Sequence, residues 1–436
     1  MVTASPARLR RAVALLAALL ALAVLLPLRG SQAQVGQASR AFPEGEIQPG
    51  VVLVRFKPDV QPSRAAGALA AQGALEEGEI RPIRVRKLRV PRGREREIAA
   101  RLQSNPDVDF AEPSYLVRAL WEPDNDPLYP ADGLAPPGQW NLRKINMPQA
   151  WDHTRGAPGV KVAVIDTGID TAHPDRPANL QLGWDYVDGD PVPNDEHGHG
   201  THVAGIVAAR TNNGVGVAGV APDVTLLAIR VLNRDGAGSH YAVASAIIEA
   251  ADAAARVVNL SLGSPQESSA LRAAVDYANG KGVLIAAAAG NCYDVPCPLG
   301  FPANSPLYPA AYPGVLAVAA TTPDDDRATY SNTGSHIGIA APGSSVLSTC
   351  AGSYYWLSGT SMATPHVAGL AALMLSSRPY LSADRVASMI KDTADPVGQS
   401  VPNDEIGHGR IDAVAALQAT EALPIYRVYL PLVARN

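Results

Sequence analysis

The sequence predicts an α/β protein with a central, mostly parallel sheet covered by helices on both faces, preceded by a small α+β domain. Short apolar runs without polar alternation are typical of strands buried in a parallel sheet. Helical patterns of small apolar residues separate these runs, which indicates repeated strand–helix–strand units. The strand-like runs lie at 160–166, 226–232, 257–263, 283–291 and 315–321. The helix-like runs lie at 202–209, 242–255, 269–281 and 366–375.

The first 121 residues differ from the rest in charge and pattern. They carry 18 Lys and Arg against 11 Asp and Glu (net +7), whereas residues 122–436 carry 18 against 30 (net −12). Strand, helix and strand signals at 51–56, 94–103 and 108–117 indicate a small α+β unit. A stretch rich in Pro, Asp and Gly at 122–138 then marks a boundary. The acidic body argues against nucleic-acid binding.

The N-terminus has the pattern of a secretory signal peptide. Three arginines, Arg8, Arg10 and Arg11, precede an apolar run at 12–28, and small residues follow up to Ala33. This order predicts export with cleavage near Ala33. An uncleaved anchor is the alternative, although the run is short for a membrane span. We therefore expect a signal peptide at 1–33, a second segment at 34–120, a main domain at 121–420 and a tail at 421–436.

Three cysteines are present: Cys292, Cys297 and Cys350. Export permits disulfides, and an odd number leaves one thiol unpaired. Cys292 and Cys297 flank a short loop, so this pair is the favoured disulfide. Metal binding by the cysteines is disfavoured because no C-x-x-C pair occurs.

Three polar residues stand where reactive groups are commonly placed in an α/β fold. Asp166 ends a predicted strand, and parallel sheets place their sites at the carboxyl ends of strands. His199 and Ser361 each precede a small-residue helical run. Alone, Ser361 is explained as an N-cap, with Pro365 in the first helical turn, where a missing N–H costs least. Together, the order Asp, His, Ser matches one known order of a catalytic triad.

The motifs around these residues resemble the subtilisin-like serine proteases, the subtilase family. They are "VAVIDTGID" at 162–170, "HGHGTHVAG" at 197–205, "AAAAGN" at 286–291 and "GTSMATPHVAG" at 359–369. The likeness extends from about residue 125 to 417, and it implies a three-layer fold with a central parallel sheet. Residues before Trp121 resemble the inhibitory propeptide of that family. An α/β-hydrolase esterase is disfavoured because Ser361 lies in G-T-S-M-A rather than G-x-S-x-G.

The resemblance implies peptide hydrolysis through an acyl-enzyme. Ser361 would be the nucleophile, His199 the general base and Asp166 the residue that orients the imidazole. The side-chain amide of Asn291 and the backbone N–H of Ser361 would bind the oxyanion. His202, one helical turn from His199, is expected to be structural.

The resemblance also implies where an extended peptide binds. Two backbone edges would pair with the substrate as added strands; they are Gly236, Ala237 and Gly238, and Ser261, Leu262 and Gly263. The specificity pocket would be walled by Ala288, Ala289 and Gly290, with Leu307 at its base. An apolar preference follows, because no acidic residue stands out as a receptor for Lys or Arg. A dedicated processing protease with few partners is the alternative to a protease of broad specificity.

Structural calcium is a further implication, since hard oxygen ligands in loops suit this ion. One family site would use side chains of Asp126, Asp175 and Asn213 with the carbonyls of Arg210, Val215 and Val217. A second would lie in the aspartate-rich loop at 185–195, with Asp185, Asp188, Asp190, Asn194 and the carbonyl of Val192. A solvated acidic loop is the alternative for this second segment.

The remaining expectations concern processing and location. The propeptide is expected to act as an intramolecular inhibitor that is removed by self-cleavage near Leu120. The mature protein is expected to be monomeric and extracellular. The tail at 421–436 alternates apolar and polar residues like an added strand, and a surface-sorting role is equally open.

Overall fold

The computed structural model describes residues 47–80, 84–115, 126–129, 138–297, 300–398 and 400–424. It divides the chain into two compact units, with the division between residues 117 and 118. The predicted signal peptide, the cleavage region around Leu120 and the tail from residue 425 lie outside the described residues. Among the described residues, no helix is long and apolar enough to span a bilayer.

The described residues of the first unit form a four-stranded antiparallel sheet in the order β2-β3-β1-β4 and two helices. Its strands are β1 Ile47–Phe56, β2 Leu75–Ile80, β3 Val85–Arg89 and β4 Val108–Tyr115, and its helices are α1 Pro62–Ala70 and α2 Glu95–Gln103. Alternate residues of β1 pack on the amphipathic helices, with Val52, Val54, Leu88, Ile98 and Leu102 in the core. The predicted α+β unit is confirmed.

The second unit is built on a seven-stranded parallel sheet in the order β11-β10-β9-β8-β5-β7-β6. Its strands are β5 Lys161–Asp166, β6 Asn179–Asp185, β7 Thr225–Arg230, β8 Val257–Leu260, β9 Leu284–Ala288, β10 Val315–Thr321 and β11 Ile337–Pro342. A separate antiparallel hairpin is formed by β12 Val346–Cys350 and β13 Ser353–Leu357. All the neighbouring pairs of the large sheet are parallel, as predicted.

Helices cover both faces of this sheet. They are α3 Trp140–Lys144, α4 Met147–Ala150, α5 His199–Ala208, α6 His240–Asp252, α7 Ser269–Gly280, α8 Thr360–Ser377, α9 Ala383–Asp392 and α10 Ala413–Glu421. One apolar core lies between one face of the sheet and helices α5, α8, α9 and α10. The other lies between the sheet and α6 and α7. Because both faces are covered, the central strands are buried along their length, which explains their unbroken apolar runs.

Three interior strands end earlier than the sequence predicts, and the first of them, the run at 226–232, is strand only as far as Arg230. The run at 257–263 is strand only as far as Leu260, and the run at 283–291 only as far as Ala288. The remaining residues of each run form loops at the carboxyl edge of the sheet. This edge therefore carries loop residues instead of the predicted strand ends.

Candidate active site

Asp166 and His199 form a hydrogen-bonded pair at the carboxyl edge. Asp166 is the last residue of β5 and is fully buried, while His199 opens helix α5. The Nδ1 of His199 lies 2.7 Å from Oδ1 of Asp166. A carboxylate only accepts hydrogen bonds, so Nδ1 donates and Nε2 is left as the basic nitrogen. Burial lowers the pKa of His199, but the charge and hydrogen bond of Asp166 outweigh this and raise it overall.

A second aspartate, Asp195, accepts hydrogen bonds from residues on both sides of His199. One oxygen accepts from the hydroxyl of Thr167 at 2.8 Å and from Gly198 N at 2.8 Å, and the other accepts from Thr201 N at 2.8 Å. Burial raises the pKa of Asp195, yet these donors stabilise the carboxylate and lower it overall. Asp195 thus ties the segment after Asp166 to the start of α5, which fixes both partners of the pair.

Ser361 lies at the start of helix α8, but it is not the N-cap. The N-cap is Gly359, which makes Ser361 the second helical residue, with its Oγ donating to the carbonyl of Ser261 at 3.1 Å. Pro365 is the sixth helical residue, so the prediction that it lies in the first turn is wrong. Its missing N–H leaves the carbonyl of Ser361 without its usual helical donor. The hydroxyl of Ser261 donates to that carbonyl at 2.7 Å instead.

Asn291 follows β9 and is oriented by Thr360. Its Oδ1 accepts from the backbone N of Thr360 at 2.8 Å and from the Thr360 hydroxyl at 2.9 Å. This arrangement directs the amide nitrogen toward the start of α8, where a Cβ on Gly359 would lie 3.1 Å from it. Asn291, His199 and Ser361 line one cleft of about 330 Å³. An amide donor and a helix N-terminus therefore meet beside the serine hydroxyl.

A larger cavity of about 670 Å³ continues from His199 between two backbone edges. All six residues predicted to pair with a substrate line it: Gly236, Ala237, Gly238, Ser261, Leu262 and Gly263. A Cβ at Gly238 would lie 2.2 Å from the carbonyl of Val231, so only glycine fits at this position. His197 and Thr167 line the same cavity and were not predicted as binding residues.

A smaller pocket of about 200 Å³ opens beside Ser361. Among the residues predicted to wall it, Ala288, Gly290 and Leu307 are lining residues, and Cys292 lines it as well. Ala289 is different, because its side chain packs in the apolar core on the α6–α7 face of the sheet. Among the described residues that line the pocket, none carries a charged side chain.

Two other histidines are buried and structural. His202 donates from Nε2 to the carbonyl of Tyr355 at 3.0 Å, and burial lowers its pKa to about 3. His366 contacts the carbonyl of Met362 through Nδ1 at 2.8 Å, and burial lowers its pKa to about 4. Both imidazoles are therefore neutral at physiological pH, as expected for His202.

The favoured disulfide is confirmed: Cys292 and Cys297 are bonded, and Cys350 is free. Cys350 lines the same cleft as His199 and Ser361. Burial, followed by the charge of Asp195, raises the pKa of its thiol to about 11. The thiol is therefore protonated at neutral pH and is a poor nucleophile.

The first predicted calcium site brings together three distant segments. Asp126 and Asp175 are both fully buried. Asn213 joins them, since its backbone N donates to Asp126 at 2.9 Å and its side-chain amide donates to Asp175 at 2.9 Å. The backbone N of Val217 also donates to Asp175 at 2.8 Å, and that of Arg210 contacts the Asp175 carbonyl at 3.3 Å.

The second predicted site contains a cation that the sequence interpretation missed. Arg230, at the end of β7, is 1% exposed and reaches into the aspartate-rich loop. Its guanidinium lies 2.9 Å from Asp185, 2.7 Å from Asp188 and 2.5 Å from Glu196. Two of the predicted ligands are therefore already paired with a fixed positive charge. In the part of the chain that the structure describes, no cluster of three or more His, Cys, Asp or Glu has the geometry of a metal site.

Comparison with known proteins agrees with this arrangement. Residues 157–409 match the Subtilase family (Peptidase S8), and residues 33–114 match the fervidolysin N-terminal prodomain. The chain belongs to the subtilase family. It is a subtilisin-like serine peptidase with an N-terminal prodomain, and the esterase alternative is excluded.

Individual relatives extend the match over most of the chain. The thermophilic serine proteinase of Bacillus sp. (strain AK1) is 39% identical over 388 residues, which are 89% of this chain and 90% of that protein. Thermitase of Thermoactinomyces vulgaris is 45% identical over 281 residues, which are 64% of this chain and 96% of thermitase. A solved protease from Pseudoalteromonas arctica PAMC 21717 superposes with a TM-score of 0.59 at 35% identity, covering 68% of this chain and 99% of that chain.

Proposed function

We propose that this subtilase is a secreted serine endopeptidase of broad specificity that uses Ser361, His199, Asp166 and Asn291 as its catalytic residues. One observation carries the proposal. Four separate segments bring these side chains to one edge of the sheet. They are the end of β5, the start of α5, the loop after β9 and the start of α8. A hydroxyl, a basic imidazole nitrogen and an amide donor then surround a single cleft.

The proposed reaction follows from these positions. His199 Nε2 accepts the proton of the Ser361 hydroxyl as Oγ attacks the peptide carbonyl, and it later gives that proton to the leaving amine. Asp166 keeps Nδ1 protonated and stabilises the imidazolium. The side-chain amide of Asn291 and the backbone N–H of Ser361 donate to the developing oxyanion. In the structure Ser361 Oγ donates a hydrogen bond to the carbonyl of Ser261. When substrate binds, Oγ must instead donate this hydrogen bond to Nε2 of His199.

Specificity is proposed to come mainly from the pocket beside Ser361. Its apolar lining suits an apolar side chain at P1, the substrate residue on the acyl side of the cleaved bond. Main-chain pairing along the two glycine-rich edges is independent of sequence. A broad range of substrates is therefore expected, rather than one dedicated partner.

Cleavage of a peptide library by the mature protein tests this proposal. We expect cleavage of many sequences, with Leu, Met or Phe favoured at P1 and with Asp, Glu, Lys and Arg disfavoured, because the described lining residues of the pocket carry no charge. A profile restricted to one sequence of several residues would instead support the dedicated processing protease.

Calcium is proposed as a structural cofactor at the site formed by Asp126, Asp175 and Asn213, with carbonyls of Arg210, Val215 and Val217 completing it. Two buried carboxylates and an amide side chain lie together there, which supports the proposal. Burial raises the pKa of Asp175 to about 7, and the nearby charge of Asp126 adds to this effect. Burial raises the pKa of Asp126 too. A bound divalent cation would remove this cost and hold the three segments together.

Calcium binding at a second site, in the aspartate-rich loop, remains a prediction. Its ligands would be Asp185, Asp188, Asp190, Asn194 and the carbonyl of Val192. Since Arg230 pairs with Asp185 and Asp188, an ion there would compete with a fixed guanidinium. We expect weaker binding at this loop than at the first site.

Chelation should lower the melting temperature by roughly 10 °C. A ligand at 1,000 times its Kd stabilises the folded state by about 4 kcal/mol, and each kcal/mol shifts Tm by about 2–4 °C in a domain of this size. Differential scanning calorimetry of the Ser361→Ala variant, which should not digest itself, provides the measurement. Asp175→Ala should remove most of the response, and Asp190→Ala should remove less.

The pH dependence gives an independent check on the same site. Without calcium, folded Asp175 keeps its proton up to about pH 7, whereas the unfolded carboxyl loses it near pH 4. The folded state then binds more protons, so stability in chelator should fall as pH rises from about 4 to 7. Saturating calcium should abolish that fall. An unchanged melting curve in excess chelator would reject the site.

Secretion and maturation complete the proposal. The signal-like segment at 1–33 is proposed to direct export, and the prodomain is proposed to inhibit the peptidase until it is removed. Strand β4 ends at Tyr115, five residues before Leu120. Leu120 is an apolar P1 side chain of the kind that the pocket suits, so self-cleavage within a few residues of it is proposed.

Self-cleavage can be tested by expressing Ser361→Ala in a host that lacks extracellular proteases. Wild-type protein from the same host should begin near Trp121, because Ser361 would cut the junction. The variant should begin near Gln34, since only the signal peptide would be removed. A variant trimmed to Trp121 would show that another protease matures the enzyme.

A further inference from the structure

The pocket beside Ser361 has a small apolar cluster at its base. Cys292 and Leu307 line the pocket, Cys297 is buried in the same cluster, and Phe301 packs against this cluster. This cluster is separate from the two cores on the faces of the large sheet. The shape of the pocket base is therefore determined locally, by this cluster and the loop that carries it.

The disulfide is the covalent element of that loop. Cys292 directly follows Asn291, and its bond to Cys297 closes a loop of a few residues beneath the pocket. The loop is completed by two backbone hydrogen bonds, from Cys297 N to Phe301 O at 2.9 Å and from Asn304 N to Cys292 O at 2.8 Å. The disulfide thus connects the residue next to the proposed oxyanion donor to the segment that leads to Leu307.

Asn332 ties the same elements to the body of the domain. Its Oδ1 accepts from Cys292 N at 2.8 Å, and its Nδ2 contacts Cys292 Sγ at 3.3 Å and Ser305 O at 3.0 Å. Leu307 closes the pocket on the other side, since a Cβ on Gly290 would lie 2.7 Å from its Cδ1. Small movements of Cys292 or Leu307 therefore change the pocket directly.

We propose that the Cys292–Cys297 disulfide determines which apolar P1 side chains this pocket accepts, and that its reduction relaxes the selectivity. The inference rests on the proposed function, in which the pocket binds P1. Reduction by a dithiol transfers two electrons and two protons to the two sulfurs, and the dithiol becomes a cyclic disulfide. Reduction then leaves Cys292 and Leu307 freer to move relative to each other. Substrate binding must order them again, which weakens the binding of the P1 side chain. Discrimination between side chains that differ by one methylene depends on such a fixed shape.

Fluorogenic peptides that differ only at P1, as Ala, Leu, Met or Phe, provide the test. We expect reduction of the wild type to decrease the ratio of the highest to the lowest kcat/KM about 10-fold, mainly through a higher KM for the preferred peptide. Cys297→Ser should show the same reduced ratio without dithiol and should not respond to it, because it leaves the lining residue Cys292 in place. Cys350 is already a thiol, so dithiol does not change it.

Two controls separate the possible failures. Intact mass establishes that two hydrogens have been added, and titration with a serine-directed phosphonylating reagent counts the competent sites, so that loss of folded enzyme does not alter the ratio. An unchanged P1 ratio in both the reduced wild type and Cys297→Ser would overturn the inference while peptide hydrolysis continued. An oxidised enzyme that neither hydrolyses peptides nor reacts with the reagent would instead overturn the proposed function.

Discussion

Replacing the proposed nucleophile, as Ser361→Ala, should lower kcat for peptide hydrolysis by about 10⁶-fold, the size of the effect known for the corresponding change in subtilisin. The reason is that Ser361 supplies the hydroxyl at the start of α8, in the cleft that His199 and Asn291 also line. KM should change little, because the substrate-binding edges and the pocket are untouched. Steady-state kinetics with a fluorogenic peptide of the preferred P1 type provides the measurement.

A matched control lies on the same helix. Ser376→Ala removes a hydroxyl that donates to the carbonyl of Ala372 near the other end of α8, far in sequence from the site. This variant should keep wild-type kcat, which shows that loss of a helical serine is not itself harmful. Hydrolysis by Ser361→Ala at more than about one thousandth of the wild-type rate would contradict a nucleophilic role.

Asp166→Asn should lower kcat by about 10⁴-fold, because the neutral amide no longer fixes the tautomer of His199 or stabilises its imidazolium. The pH profile should also move. Asp166 is what raises the pKa of His199 against the effect of burial. Without it that pKa falls, so His199 becomes neutral at lower pH and the acid limb of kcat/KM against pH should shift downward.

Asp276→Asn is the control for this change. Asp276 is exposed on α7, so its kcat and pH profile should match those of the wild type. A loss of activity in Asp166→Asn with an unshifted acid limb would mean that Asp166 acts only on folding. Thermal unfolding of both variants distinguishes that case directly.

The parallel sheet was largely predictable because its central strands are buried on both faces. Strands β5, β7, β8, β9 and β10 each appear as an apolar run in the sequence. The edge strands β6 and β11 were not predicted. In β6, Leu182 and Trp184 are partly exposed among polar neighbours. Strand β11 is buried along its length, so its apolar run could have been found. In the prodomain, β2 is exposed along its length and rich in glutamate, so its pairing depends on β3 rather than on an apolar pattern.

Site residues were predictable where a motif places them and not where a tertiary contact does. Asp166, His199, Asn291 and Ser361 each lie in a distinctive local sequence. Thr360 could have been found, since it lies in the same motif as Ser361 and its hydroxyl binds Asn291.

Other contributors gave a weaker signal or none. Asp195 is one of four aspartates in the short acidic stretch at 185–195, and only the fold shows that it joins Thr167 to the start of α5. Arg230 appears in the sequence as the end of an apolar strand. Its role in the acidic loop depends on β6 and β7 being neighbours.

The central claim is that Ser361 is activated by His199, and covalent labelling tests it most directly. The mature enzyme is treated with a fluorophosphonate, and the modified residue is located by peptide mapping and mass spectrometry. We expect one label per chain on Ser361, no label in Ser361→Ala, and labelling slowed at least 10³-fold in folded His199→Ala. A label on a different serine, or a wild-type enzyme that hydrolyses peptides without being labelled, would contradict the claim.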